Sequence, residues 1–204
     1  MKDTDFKLKV TSVLHELNEV LQSINSSDID LFVEMLYDML QRTDGTNTNS
    51  PKIVGYSAGR MGLALRAFLM RLNHLGIKAY WLGDNYVPAM NKDDVFVCCS
   101  NSGTTASVVS YMQIFNKKAN GRVVAFVGNK DSIIGKSATL PIVFKTCNGG
   151  LNSEDDPSKI TSIQPMTTLT EQAMLLLFDI VALKLIERVG MNINDTKKYH
   201  SNIE

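Results

Sequence analysis

The sequence of 204 residues is 44% hydrophobic, which provides enough apolar material for one substantial core and predicts a single domain. Basic and acidic residues number 21 each, and the resulting zero net charge argues against a nucleic acid or an anionic membrane as partner. The sequence contains neither a signal peptide nor an apolar stretch long enough to span a bilayer, so we expect a soluble protein of the cytoplasm.

Two amphipathic helices are predicted before the first strand. Apolar residues recur at helical spacing over 10–24 and again over 29–40. The polar stretch 43–51 then predicts a surface connection. After this connection, short β-rich segments alternate with helical ones. The predicted strands lie at 53–54, 79–81, 95–99, 123–127 and 140–144, and helices are predicted at 61–75 and 106–116.

The alternation of strands and helices predicts an α/β fold, because right-handed crossovers place helices on both faces of a parallel sheet. A last long helix is predicted over 165–188, since Pro165 suits its first turn and Gly190 suits its exit. A polar tail with one histidine, His200, follows. The predicted organisation is one domain over 1–204, with N-terminal helices in 1–43, the sheet and its flanking helices in 52–190, and the tail in 191–204.

The turn after the first predicted strand has a composition that suits a ligand. In open parallel sheets, ligands bind beyond the carboxyl ends of the strands. Glycines such as Gly59 allow close approach of the backbone, Ser57 supplies a hydroxyl and Arg60 supplies a fixed charge. Packing alone also explains a glycine-rich turn, and the spacing matches neither the Walker nor the dinucleotide pattern.

The turn after the strand at 95–99 carries a stronger signal. Hydroxyl and amide side chains surround Gly103 there, namely Ser100, Asn101, Ser102, Thr104 and Thr105. Capping the next helix needs one hydroxyl, which contributes about 1 kcal/mol. The surplus of polar groups beside a helix N-terminus predicts an anion site, with phosphate as the anion that would use several donors.

The two turns and the segment 162–172 resemble the sugar isomerase (SIS) domain, and within it the 6-phospho-3-hexuloisomerases of the ribulose monophosphate pathway. The likeness is collinear from about Ile53 to Glu204 and includes the stretch 66–76. It implies a three-layer αβα sandwich with a five-stranded parallel sheet and no metal or organic cofactor. It also implies a homodimer or homotetramer with sites near the subunit interfaces.

The resemblance further implies a reaction and roles for residues. The reaction interconverts 3-hexulose 6-phosphate and fructose 6-phosphate through a cis-enediol. Glu171 is placed as the base, and His200 as a helper in its own or a neighbouring subunit. The implied phosphate-binding residues are Ser57, Gly59, Arg60, Ser100, Asn101, Ser102, Gly103, Thr104 and Thr105. Without the resemblance, the preferred interpretation of Glu171 is an acidic residue favoured by the dipole at a helix N-terminus.

This chain departs from the family pattern at several positions. Family members usually carry a serine in place of Met61 and a glutamate in place of Thr104. They carry small residues followed by an aromatic one in place of Thr167, Thr168 and Thr170. Two alternatives therefore accompany the isomerase hypothesis: an isomerase of a different sugar phosphate, and a non-catalytic protein that senses sugar phosphates.

Overall fold

The computed structural model describes residues 3–43, 50–147 and 158–192, together with residues 196, 200 and 203. Five parallel strands form one sheet in the order β2-β1-β3-β4-β5. The strands are β1 Lys52–Ser57, β2 Lys78–Trp81, β3 Val95–Ser100, β4 Arg122–Val127 and β5 Leu140–Val143. The helices are α1 Asp3–Ser23, α2 Ser26–Gln41, α3 Gly59–His74, α4 Ala106–Lys118, α5 Ile133–Ser137 and α6 Thr168–Val189.

The central strands are continuous apolar segments because helices cover both sides of the sheet. Every residue of β3 is buried, and so are all residues of β4 except the first. A run of this kind is typical of a parallel sheet and not of a sheet with one wet face. The predicted α/β fold with a five-stranded parallel sheet is confirmed.

Two separate apolar clusters make up the core. On one face, α1, α2, α3 and α6 pack on the sheet around Phe32, Phe68, Phe126 and Phe178, whose rings contact one another. On the other face, α4 and α5 cover a smaller cluster that contains Phe96. The three layers expected for the sandwich are therefore present. In the described part of the chain, no helix is long and apolar enough to cross a membrane.

The start of the last helix was predicted wrongly. It begins at Thr168 and not at Pro165, because Met166 has a φ of 55°, which a right-handed helix excludes. Its exit is as expected, since Gly190 ends it in the left-handed conformation with a φ of 70°. The short α5 was not predicted at all; five residues carry too little periodicity.

The strand order places the two polar turns side by side. Strands β1 and β3 are neighbours, with Ser57 in register with Cys99. After β1 the chain passes into α3 on one face, whereas after β3 it passes into α4 on the other. The crevice between such diverging connections is the usual ligand site of an open α/β sheet.

Candidate active site

A cavity of about 700 Å³ opens at the carboxyl ends of β1 and β3. Its walls come from the turn after β1, from the loop after β3, and from the segment that leads into α6. The predicted site residues that line it are Gly59, Arg60, Ser100, Asn101, Ser102, Thr105 and Glu171. Segments more than 100 residues apart in the sequence therefore form one site.

Three helices begin at this cavity without a side-chain cap. The N-cap residues of α3, α4 and α6 are Ala58, Thr105 and Thr167, and none accepts a capping hydrogen bond on its side chain. First-turn N–H groups then stay available, apart from the Thr168 amide of α6, which donates to the carbonyl of Pro165, and the helix dipole adds partial positive charge. Three such N-termini around one cavity favour the binding of an anion.

The hydroxyl-rich loop is organised by its own side chains. The Ser100 hydroxyl is 2.8 Å from that of Thr105 and accepts a 3.1 Å hydrogen bond from the Gly103 amide. The Ser102 hydroxyl accepts from the amide and the hydroxyl of Thr104 at 3.3 and 3.1 Å. Since Thr105 does not cap α4, capping does not explain the surplus of hydroxyls. An arrangement of this kind can present hydroxyls and amides to a group with several acceptor oxygens.

The carboxylate of Glu171 is held at both oxygens. The Thr167 hydroxyl donates a 2.9 Å hydrogen bond to Oε1, and Nη1 of Arg60 lies 2.9 Å from Oε2. The same Nη1 donates to the Thr168 hydroxyl at 3.1 Å. The Glu171 side chain is 13% exposed and that of Arg60 is 61% exposed. Oε2 is buried and has no hydrogen bond of good geometry among the described residues. Its polar contact there is the ion pair with Arg60.

A buried hydrogen-bond chain joins the loop after β3 to α6. The Thr146 hydroxyl is 2.7 Å from that of Thr170 and 3.2 Å from Oδ1 of Asn101. The Asn101 amide also donates to the carbonyl of Cys147. Asn101 therefore fixes the loop relative to the helix that carries Glu171. Sequence reasoning missed this role of Thr146 and Thr170; the departure from the family pattern at Thr170 was the available signal.

Ser57 and Thr104 do not line the cavity. The Ser57 side chain is 4% exposed, and its hydroxyl donates to the carbonyl of Cys99 at 2.8 Å. The hydroxyl proton of Ser57 is therefore used in a hydrogen bond between β1 and β3 and is not available to a phosphate. Thr104 is exposed and its hydroxyl donates to Ser102. The structure therefore brings neither hydroxyl into the cavity.

His200 lies away from Glu171 in its own chain. It is exposed, and its ring centroid is 5.0 Å from that of His74, the last residue of α3. Arg60 is at the other end of this 16-residue helix, which is about 24 Å long. This position argues against a role for His200 in the site of its own subunit. A role in the site of a neighbouring subunit stays a prediction. Residues 202 and 204 of the tail lie outside the described residues.

The cysteines beside the cavity are not activated. Burial raises the pKa of Cys98 to about 12, and it raises the pKa of Cys99, a cavity residue, well above its ordinary value. Both thiols are protonated near neutral pH, whereas a nucleophile needs the thiolate.

Met61, where family members usually carry a serine, is buried and contributes an apolar side chain to the cavity wall. No cluster of three metal-binding side chains occurs among the described residues.

Comparison with known proteins gives relatives that match most or all of the chain. No family model matches the chain. It is 31% identical to the 3-hexulose-6-phosphate isomerase of Bacillus subtilis over 204 residues, 100% of both chains. The same identity, 31%, relates it to the 3-hexulose-6-phosphate isomerase of Mycobacterium gastri over 147 residues, 72% of this chain and 71% of that one. A solved structure from Methanococcus jannaschii, a hypothetical protein inferred to be a 3-hexulose-6-phosphate isomerase, matches with a TM-score of 0.73 and 23% identity. The match covers 96% of this chain and 98% of that one.

Proposed function

Because this chain belongs to the family of 3-hexulose-6-phosphate isomerases, we propose that it interconverts 3-hexulose 6-phosphate and fructose 6-phosphate. One observation carries the proposal: the carboxylate of Glu171 lies in a cavity at which three uncapped helices begin. A base beside a site for a dianion is what the isomerisation of a sugar phosphate needs.

The phosphate is proposed to lie between the N-termini of α3 and α4. Ser100, Ser102 and Thr105 surround this position. Gly59 lines it too, and a Cβ there would meet no atom within 4 Å, whereas the predicted Gly103 packs against Ser132 and does not line the cavity. Arg60 adds a positive charge, and only its Nη1 is engaged in the contacts described above. Hydroxyls, free amides and a guanidinium match a group with three acceptor oxygens and two negative charges.

Glu171 is proposed as the general base. It would take the proton from C2 of the 3-hexulose, giving a cis-enediol across C2 and C3, and return it to C3 while the C2 oxygen becomes the carbonyl. Developing negative charge on the oxygens would be stabilised by Arg60 and by the helix N-termini. A cavity of about 700 Å³ is large enough to hold a six-carbon sugar phosphate.

The assembly proposed is a cytoplasmic homodimer or homotetramer, each subunit a single sugar isomerase domain, working in the ribulose monophosphate pathway. His200 is then proposed to act in the site of a neighbouring subunit. Its exposure and its distance from the Glu171 of its own chain support this role. An imidazole can both accept and donate a proton, so it could move protons between the enediol oxygens.

The test is NMR in D₂O with a panel of ketose and aldose phosphates. Wild-type protein is expected to convert 3-hexulose 6-phosphate and to incorporate deuterium from solvent. Glu171→Gln is expected to lose at least about a hundredfold in turnover while keeping phosphosugar binding. Glu19→Gln, an exposed glutamate of α1, is the control and keeps full activity.

Three outcomes would contradict parts of this proposal. Full activity of Glu171→Gln would remove Glu171 from the mechanism. If deuterium enters a different sugar phosphate and not 3-hexulose 6-phosphate, the proposed substrate is wrong and that other sugar phosphate is the substrate. Thermal stabilisation by several sugar phosphates, with neither exchange nor product, would make the protein a sensor.

A further inference from the structure

Thr167 occupies the N-cap position of α6 but does not cap the helix. A threonine at this position ordinarily accepts a hydrogen bond from an amide of the first turn. Here the Thr167 hydroxyl donates instead to Oε1 of Glu171, one turn along the helix, at 2.9 Å. The Thr167 hydroxyl therefore binds the carboxylate of Glu171 and does not cap the N-terminus of α6.

Thr168, the next residue, makes the complementary contact. Its side chain is 9% exposed, and its hydroxyl accepts a 3.1 Å hydrogen bond from Nη1 of Arg60. That nitrogen is also the one that lies 2.9 Å from Oε2 of Glu171. Two successive threonines thus support the ion pair: Thr167 contacts the carboxylate of Glu171, and Thr168 contacts the guanidinium of Arg60.

We infer that Thr167 is a positioning residue for Glu171 and that Thr168 positions Arg60, an inference that rests on the proposed function. A glutamate side chain has three rotatable bonds, whereas threonine is branched at Cβ and has few rotamers. Nη1 of Arg60 covers the buried Oε2, and Arg60 is 61% exposed, so the guanidinium would have to shift toward the bound phosphate before Oε2 accepts a proton. When it does so, Thr167 keeps one oxygen fixed and leaves Oε2 directed at the substrate.

The test compares isosteric and conservative variants. Thr167→Val removes the donor and keeps the shape, so kcat is expected to fall about tenfold with KM nearly unchanged. The acid limb of kcat/KM is expected to move to higher pH, because a carboxylate that loses its hydrogen-bond donor binds a proton more readily. Thr167→Ser restores both. Thr168→Val is expected to act mainly on KM, since Arg60 loses its anchor.

The matched control is Thr11→Val, an exposed threonine of α1 whose hydroxyl also donates to an oxygen of its own helix. It leaves every parameter unchanged. If Thr167→Val keeps the kcat and the acid limb of wild type, the inference is wrong. A lower melting temperature with an unmoved acid limb also overturns it, because Thr167 would then act on stability alone.

A second readout separates this inference from the proposed function. Glutamates labelled with ¹³C at the carboxyl carbon report the pKa of Glu171 without turnover, and Glu171→Gln assigns the signal. A higher pKa in Thr167→Val than in wild type supports the positioning role even when no hexulose phosphate is converted. Equal pKa values contradict it, whatever the activity.

Discussion

At the scale of single residues, Gly103 determines how closely the hydroxyl-rich loop approaches α5. Its φ is 66°, and a Cβ built on it would lie 1.9 Å from the Ser132 hydroxyl oxygen. Ser132 is held in place because it caps α5 through the Gly135 amide and donates to the carbonyl of Asn129. A side chain at position 103 therefore meets both a backbone penalty and a clash.

Gly103→Ala is expected to lower the free energy of unfolding by about 3 kcal/mol and to weaken phosphate binding, because the loop must move away from Ser132. Gly190→Ala is the control for the backbone term. Its φ is 70°, but a Cβ there would meet no atom within 4 Å, so its cost is expected to be about 1 kcal/mol. Chemical denaturation measures both, and equal costs would show that the contact with Ser132 has no effect.

At the scale of elements, the strands and the longer helices follow from local patterns, but the short α5 and the entry into α6 do not. The carboxylate of Glu16, on α1, accepts hydrogen bonds from the Ser162 hydroxyl at 2.5 Å and the Ile163 amide at 2.9 Å. Glu16 is 8% exposed. This contact spans almost 150 positions and holds the chain before α6 in an irregular path. Propensity around Pro165 carries no information about it.

Glu16→Ala is expected to destabilise the protein by about 2 kcal/mol, because two hydrogen bonds to a buried, charged acceptor are lost. It is also expected to raise KM, since the segment that Glu16 holds continues into the cavity wall at Pro165–Thr168. Glu19→Ala, exposed on the same helix, is the control and is expected to have little effect. A melting temperature and KM unchanged in Glu16→Ala would show that the segment holds its shape unaided.

In the candidate site, too, local sequence specifies some features and not others. The hydroxyls after β3 and the turn after β1 were recognisable from composition, and strand adjacency explains why they meet. The family resemblance that they carried is confirmed. The contacts of Arg60 with Glu171 and Thr168 depend on how α6 packs on α3, over more than 100 positions. No local pattern encodes that packing, and the same holds for the burial of Ser57.

At the scale of the whole molecule, α6 is apolar on more than its buried face. Leu175, Leu176, Ile180 and Leu183 are each between 40% and 49% exposed, although the helix also supplies the core with Phe178 and its neighbours. A helix that is apolar almost all round is ordinarily buried on both sides. This surface supports a homo-oligomer, in which a tail remote from its own cavity can reach that of a neighbour.

Sharing of sites between subunits has a consequence that mixing of inactive variants can measure. In a dimer of one Glu171→Gln subunit and one His200→Gln subunit, shared sites place both substitutions in one site and leave the other intact. If instead each subunit supplies its own histidine, every site carries one substitution. Since we propose shared sites, subunits mixed at random after mild denaturation are expected to regain about a quarter of wild-type activity, because half the dimers are mixed and each has one intact site. Activity that stays at the level of the separate variants would place His200 in its own subunit or outside the reaction.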